Sequence, residues 1–179
     1  MSHRDDVCAW LRERGTETIA HPGGTLYAHL CRVHDLLGTF GHGGDVRLAG
    51  LTHAAYGTDG FDLALLDPCD REPLRALVGA DAEQLVYLYG ACDRRRSWPD
   101  LVTTRHLVDR FTGRVETLAP ELLRPFVDLS IVNELDVLVH DPTVARRYGD
   151  YFRSLFATWA PVASSGVTAE TRRLLARSP

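Results

Sequence analysis

The chain has 179 residues, 45% of them apolar and 25% charged, with a formal net charge of -4. That suits one domain, residues 1–179, built around a single sizeable core, and it argues against a nucleic-acid surface, which usually needs a basic face. All 20 basic residues are arginine, so a Schiff-base lysine, a P-loop lysine and a Ser–Lys dyad are excluded as well.

Helical periodicity dominates the chain. A first helix is expected from about Asp5 to Arg14, burying Val7, Trp10 and Leu11 and stopping at Gly15. A short extended stretch, Thr16 to Ala20, then leads into a turn at His21-Pro22-Gly23-Gly24. Thr25 caps a second helix that puts Leu26, His29, Leu30, Val33 and Leu37 on one face. After the glycine loop around His42, Asp45 is expected to cap a third helix with Val46, Ala49, Gly50 and His53 on its stripe. Asp59 to Pro68 reads as irregular, with Phe61, Leu63, Leu65 and Leu66 plugging the core.

Asp70 to Leu77 reads as a short helix, and Asp81 with Gln84 as a capping box opening the helix Ala82 to Cys92. Arg94-Arg95-Arg96 before Ser97 reads as a solvated turn. Alternation about Gly113 predicts a small β-hairpin near 108–117. Pro120 to Val139 is the longest apolar helical pattern. Asp141-Pro142 is a cap with an N1 proline, opening a long helix to about Ala160. The segment 162–179 reads as a polar tail outside a core of roughly 5–160. The expected fold is all-α, a compact bundle of about six to eight helices.

The four cysteines form no C-x-x-C pair, and no stretch approaches the length of a membrane span. The expectation is a cytoplasmic protein with reduced thiols, acting on a small molecule and engaging neither nucleic acid nor membrane. A homodimer face could be built from Tyr148, Tyr151, Phe152 and Phe156 on the last long helix, although core packing is the commoner use of such residues.

Histidine is the informative residue. His3 and His42 read as bystanders, whereas His29 and His53 each stand where a stripe calls for an apolar residue. A buried imidazole needs partners for both ring nitrogens. On the Pro120 to Val139 helix, Leu122, Phe126, Leu129, Asn133, Asp136 and His140 recur at spacings of three and four, so one face turns from apolar to polar. Asp136 on that face needs a cation or a strong donor.

A helical histidine, a second one 24 residues on and a late acid together resemble the HD superfamily, all-helical metal-dependent phosphohydrolases with a few iron oxygenases. More closely, Gly24-Thr25-Leu26-Tyr27-Ala28-His29-Leu30, the stretch Ala49 to Thr58 and Val132-Asn133-Glu134-Leu135-Asp136 are similar to an uncharacterised HD-like domain family of bacteria and plants. The residue after His53 is Ala54, so the aspartate that names the superfamily is missing, and the literal His34-Asp35 pair is set aside as a decoy.

The resemblance implies a divalent ion, iron, manganese or zinc, held by His29, His53 and Asp136, with Asn133 as a further candidate. His21, Tyr56 and Thr58 are candidate catalytic residues around it, and Glu83 and Arg94 candidate substrate ligands. The implied activity is phosphoester hydrolysis or oxidation of a small molecule. The alternatives are a metal-free enzyme or binding module using the same histidines, and a protein-interaction domain.

Overall fold

A computed structural model describes residues 3–61 and 63–176. The elements in chain order are α1 (His3–Glu13), a two-stranded hairpin β1 (Ala20–His21) and β2 (Gly24–Thr25), α2 (Leu26–Thr39), α3 (Gly44–Thr52), α4 (Glu72–Val78), α5 (Ala80–Ala91), α6 (Arg94–Ser97) and α7 (Leu101–Thr104). A second hairpin, β3 (His106–Val108) and β4 (Val115–Thr117), precedes the long helices α8 (Pro120–His140), α9 (Pro142–Trp159) and α10 (Ser165–Leu175). The expected all-α bundle is what the chain forms. Its second hairpin lies where the alternation about Gly113 places one. Among the described residues, no helix is long and apolar enough to cross a membrane.

Local chemistry accounts for most boundaries. Thr25 is extended and its Oγ1 accepts the Ala28 N–H at 3.2 Å, so the residue that closes the first hairpin also opens α2. The turn between β1 and β2 needs Gly23 at φ +78, where any Cβ would strike the His140 ring. Asp141 caps α9 by accepting the N–H groups of Thr143 and Val144, with Pro142 in the first turn.

Several boundaries differ from the sequence reading. Gly43 and Gly79, not Asp45 and Asp81, stand at the N-caps of α3 and α5. The two aspartates lie inside the first turns, where the helix dipole favours a negative charge. Asp93 caps α6 through the Arg96 N–H, so the arginine run is helical rather than a solvated turn. Leu63 is exposed and plugs nothing. The polar tail is also corrected: residues 165–175 form α10, whose Val167, Thr171 and Leu175 repeat every four residues and are buried. A short stripe in a polar background is enough to dock a helix. Residues 177–179 of that segment lie outside the described residues.

One hydrophobic cluster runs from Val7 to Leu175. Its centre is α8, which packs against α2, α3, α5, α9 and α10 and is buried on most of its circumference. Gly50 lets α3 approach α2 closely, because a Cβ there would collide with Leu37 and crowd Val33. That contact brings the end of α3 and the middle of α2 to the same place on α8.

Candidate functional site

His29 is on the second turn of α2, and His53 is the residue immediately after α3. Both are almost completely buried. Asn133, Glu134 and Asp136 come from the middle of α8. The close packing of α2 and α3 sets the two imidazoles tip to tip, with Nε2 of His29 3.3 Å from Nε2 of His53.

The outer nitrogen of each ring is spoken for. His29 Nδ1 lies 2.7 Å from Asp136 Oδ2, and His53 Nδ1 lies 2.8 Å from the Gly50 carbonyl. Burial pushes the Asp136 carboxyl up, but the hydrogen bonds from His29 and Arg32 outweigh that and bring it down to about 2. An ionised carboxylate only accepts, so His29 Nδ1 carries the proton and donates it. His53 Nδ1 likewise donates to Gly50. Burial, with the neighbouring His29 next, lowers the His53 pKa to about 3, so its Nε2 is a bare lone pair at neutral pH.

Asn133 adds a third acceptor. Its Nδ2 donates to Glu134 Oε1 at 2.9 Å, which turns Oδ1 towards His29 Nε2 at 3.0 Å. His53 Nε2 and Asn133 Oδ1 therefore both lie within 3.3 Å of His29 Nε2 with no proton assigned between them. Such an arrangement is stable only around a positive centre, either a second proton on His29 or a cation.

Asp136 is a correction. It faces the opposite side of the His29 ring from His53, so it orients His29 and does not share a centre with the two Nε2 atoms. Consistent with this, among the described residues no group of three His, Cys, Asp or Glu side chains is placed to hold an ion. The Asp136 carboxylate is further clamped by Arg32, whose Nε and one terminal nitrogen donate to its two oxygens at 2.7 and 2.9 Å. His140 Nδ1 donates to its backbone carbonyl at 2.7 Å.

The remaining candidates divide. His21 stacks on His29 with ring centroids 4.0 Å apart and lines the adjoining cavity, as does Thr58. Burial, then the neighbouring His29, brings the His21 pKa down to about 4. Arg94 reaches the site from α6, donating to Glu134 at 2.8 Å and to the Tyr89 hydroxyl. Tyr56 and Glu83 do not reach it. Tyr56 donates its hydroxyl to Glu83, which is fully buried and held by Arg71 through two bonds of 2.7 Å. Glu83 thus ties α5 to Arg71 and Arg75 at α4 in a structural ion-pair network, with Tyr56 adding a hydrogen bond from the segment after α3.

The site also contains groups that the sequence reading missed. Glu134 sits one position off the chosen stripe of α8 and is visible only as an acid inside an apolar run. Arg32 follows His29 by three residues, which puts it on the same helix face. His42, read as a bystander, bonds the buried Asp128 at 2.9 Å. Of the four aromatic residues of α9, Phe152 and Phe156 are buried, and Tyr148 and Tyr151, half exposed, line the cavity.

A family model described as "Domain of unknown function (DUF6817)" matches residues 10–94, just under half of the chain. The matched stretch holds His21, His29, His53, Thr58 and Arg94, and stops short of α8 with Asn133, Glu134 and Asp136. No curated protein and no solved structure matches the chain.

Proposed function

We propose that the protein is a divergent HD-like enzyme acting on a small molecule, with a divalent ion (iron, manganese or zinc) held by His29, His53 and Asn133. The observation that carries this reading is that two lone-pair atoms, His53 Nε2 and Asn133 Oδ1, face a third, His29 Nε2, and that the outer partners of all three residues are already fixed. Imidazoles that bind metals have this design, the far N–H tied to a carboxylate or carbonyl that sets the tautomer and strengthens the ligand. The separations of 3.3 and 3.0 Å match the roughly 3 Å between neighbouring ligands of an ion bound at about 2.0–2.1 Å.

Two imidazoles and an amide carry no charge, so a bound ion keeps its own and supplies polarisation of a substrate oxygen or a seat for dioxygen. Ala54 in place of an aspartate weakens the hold. Arg94 is committed to Glu134, leaving the exposed Arg95 as the cavity's spare cation. That favours oxidation of a small molecule over hydrolysis of a phosphoester. The free cysteines among the described residues fit a reducing compartment such as the cytoplasm.

A second reading rests on the same geometry. One more proton, on His29 Nε2, would also satisfy the three acceptors and leave a metal-free enzyme or binding module. Elemental analysis of fresh and of iron-, manganese- or zinc-reconstituted protein separates the two. About one equivalent is expected, lost in His53→Ala and bound about 10- to 100-fold more weakly in Asp136→Asn. Less than about a tenth of an equivalent after reconstitution, in protein that melts normally, overturns the metal reading.

A further inference from the structure

The cavity over the site has a volume of about 950 Å³. His53, Asn133 and Glu134 line its polar end, while Phe61, Trp98, Tyr148, Tyr151 and Phe152 supply aromatic walls. Its charged residues balance: Asp59 and Glu134 against Arg94 and Arg95. A polyphosphate would need several uncommitted cations there, and Arg94 is already paired.

Glu134 is an acceptor with capacity to spare, beside the donors Arg94 Nε and Trp98 Nε1, which are buried without a partner among the described residues. Its Oε1 accepts from Arg94 at 2.8 Å and from Asn133 at 2.9 Å. Among the described residues its Oε2 takes no hydrogen bond, and the side chain, 9% exposed, lines the cavity. The two donors hold the carboxylate in one orientation, so the free oxygen is a fixed acceptor on a cavity otherwise rich in rings. A fixed acceptor selects for a ligand that donates.

We propose that this cavity binds an uncharged, ring-bearing small molecule that donates a hydroxyl or N–H hydrogen bond to Glu134 Oε2, and that it discriminates against polyphosphates. The proposal rests on the reading of this cavity as the functional site, but not on the ion. An aromatic ring of the ligand packs against the accessible Tyr148 and Tyr151, as in most small-molecule pockets, where apolar walls give affinity and a few polar groups give orientation.

The test uses metal-free full-length protein in chelator, titrated with 2-naphthol, with its methyl ether 2-methoxynaphthalene and with inorganic tripolyphosphate. Naphthol should bind at least about tenfold more tightly than the ether, which offers no donor, and tripolyphosphate should bind more weakly than naphthol. In Glu134→Gln the amide oxygen stays with Arg94 and Asn133 and an NH2 group faces the cavity, so the preference for naphthol should vanish or invert. Val144→Trp, which fills the cavity from α9, should abolish naphthol binding. Equal affinity for the two naphthalenes, an unchanged preference in Glu134→Gln, or tighter binding of tripolyphosphate overturns the proposal. If Glu134→Gln does not fold, the wild-type comparison and Val144→Trp decide it. Because chelator is present throughout, a failed metal analysis leaves these outcomes untouched. Conversely, metal-replete protein that ignores naphthol overturns this proposal alone.

Discussion

Ala54 follows His53 at the cavity wall, buried, and on the proposed HD-like reading it stands where an acid is expected. Ala54→Asp therefore adds an anionic ligand to a neutral set. Manganese affinity should rise at least about tenfold by titration, and the melting temperature should gain more from added ion than in the wild type. Without ion the variant should melt lower, because its new carboxylate is buried and unpaired. Unchanged affinity would count against the HD-like register. Glu83 poses the opposite question. Glu83→Ala leaves Arg71 without its bidentate partner and should cost about 3–5 kcal/mol in urea unfolding, while 2-naphthol binding stays at the wild-type value. At this scale His29 and His53 were legible because a polar residue on an apolar stripe is conspicuous. The role of Asp136 was not: a stripe gives the face of a helix, but not which side of an imidazole a carboxylate meets. Glu83 and Tyr56 misled for a similar reason, since a buried ion pair and a catalytic acid look alike in one dimension.

Between elements, the tightest constraint is the α2–α3 seam at Gly50. A Cβ there would collide with Leu37 and press on Val33, so Gly50→Ala should destabilise by about 1–3 kcal/mol through overpacking. By holding α3 away from α2 it should also separate the two Nε2 atoms, so bound metal should fall in the same variant. Metal content equal to wild type would show that the seam does not set the site. The amphipathic helices were readable because their stripes match the 3.6 period. α8 was read as one face, and it is buried nearly all round. For such a helix periodicity carries little information, which is why Glu134 escaped notice. α10 was missed for the opposite reason, since only Val167, Thr171 and Leu175 mark its buried side.

For the molecule as a whole, acid should be the effective denaturant. His21 and His53 have folded pKa values near 4 and 3, below the ordinary 6.5. As pH falls below 6.5 the unfolded chain takes up protons that the folded chain refuses, so stability is lost until the folded values are reached. Asp136, held at about 2 against an ordinary 3.8, contributes stability above 3.8 that is lost between 3.8 and about 2. Both contributions have the same sign. In chelator, the melting temperature should decline continuously from about pH 6.5 to 2, and a flat profile across pH 6 to 4 would contradict the buried, neutral state of the two histidines.

Arg32 gives the site one more property. Its guanidinium donates to the carbonyls of Pro22 and Gly23 in the first hairpin as well as to both oxygens of Asp136. The turn that carries His21 over the cavity and the carboxylate that steadies His29 are thus fastened by the same clasp. When the turn lifts, Arg32 loses its anchor on that side and its grip on Asp136 loosens with it. The His29 ring proton and the hairpin amides should then exchange with solvent on a common clock, opening the site and unsettling its histidine in one motion.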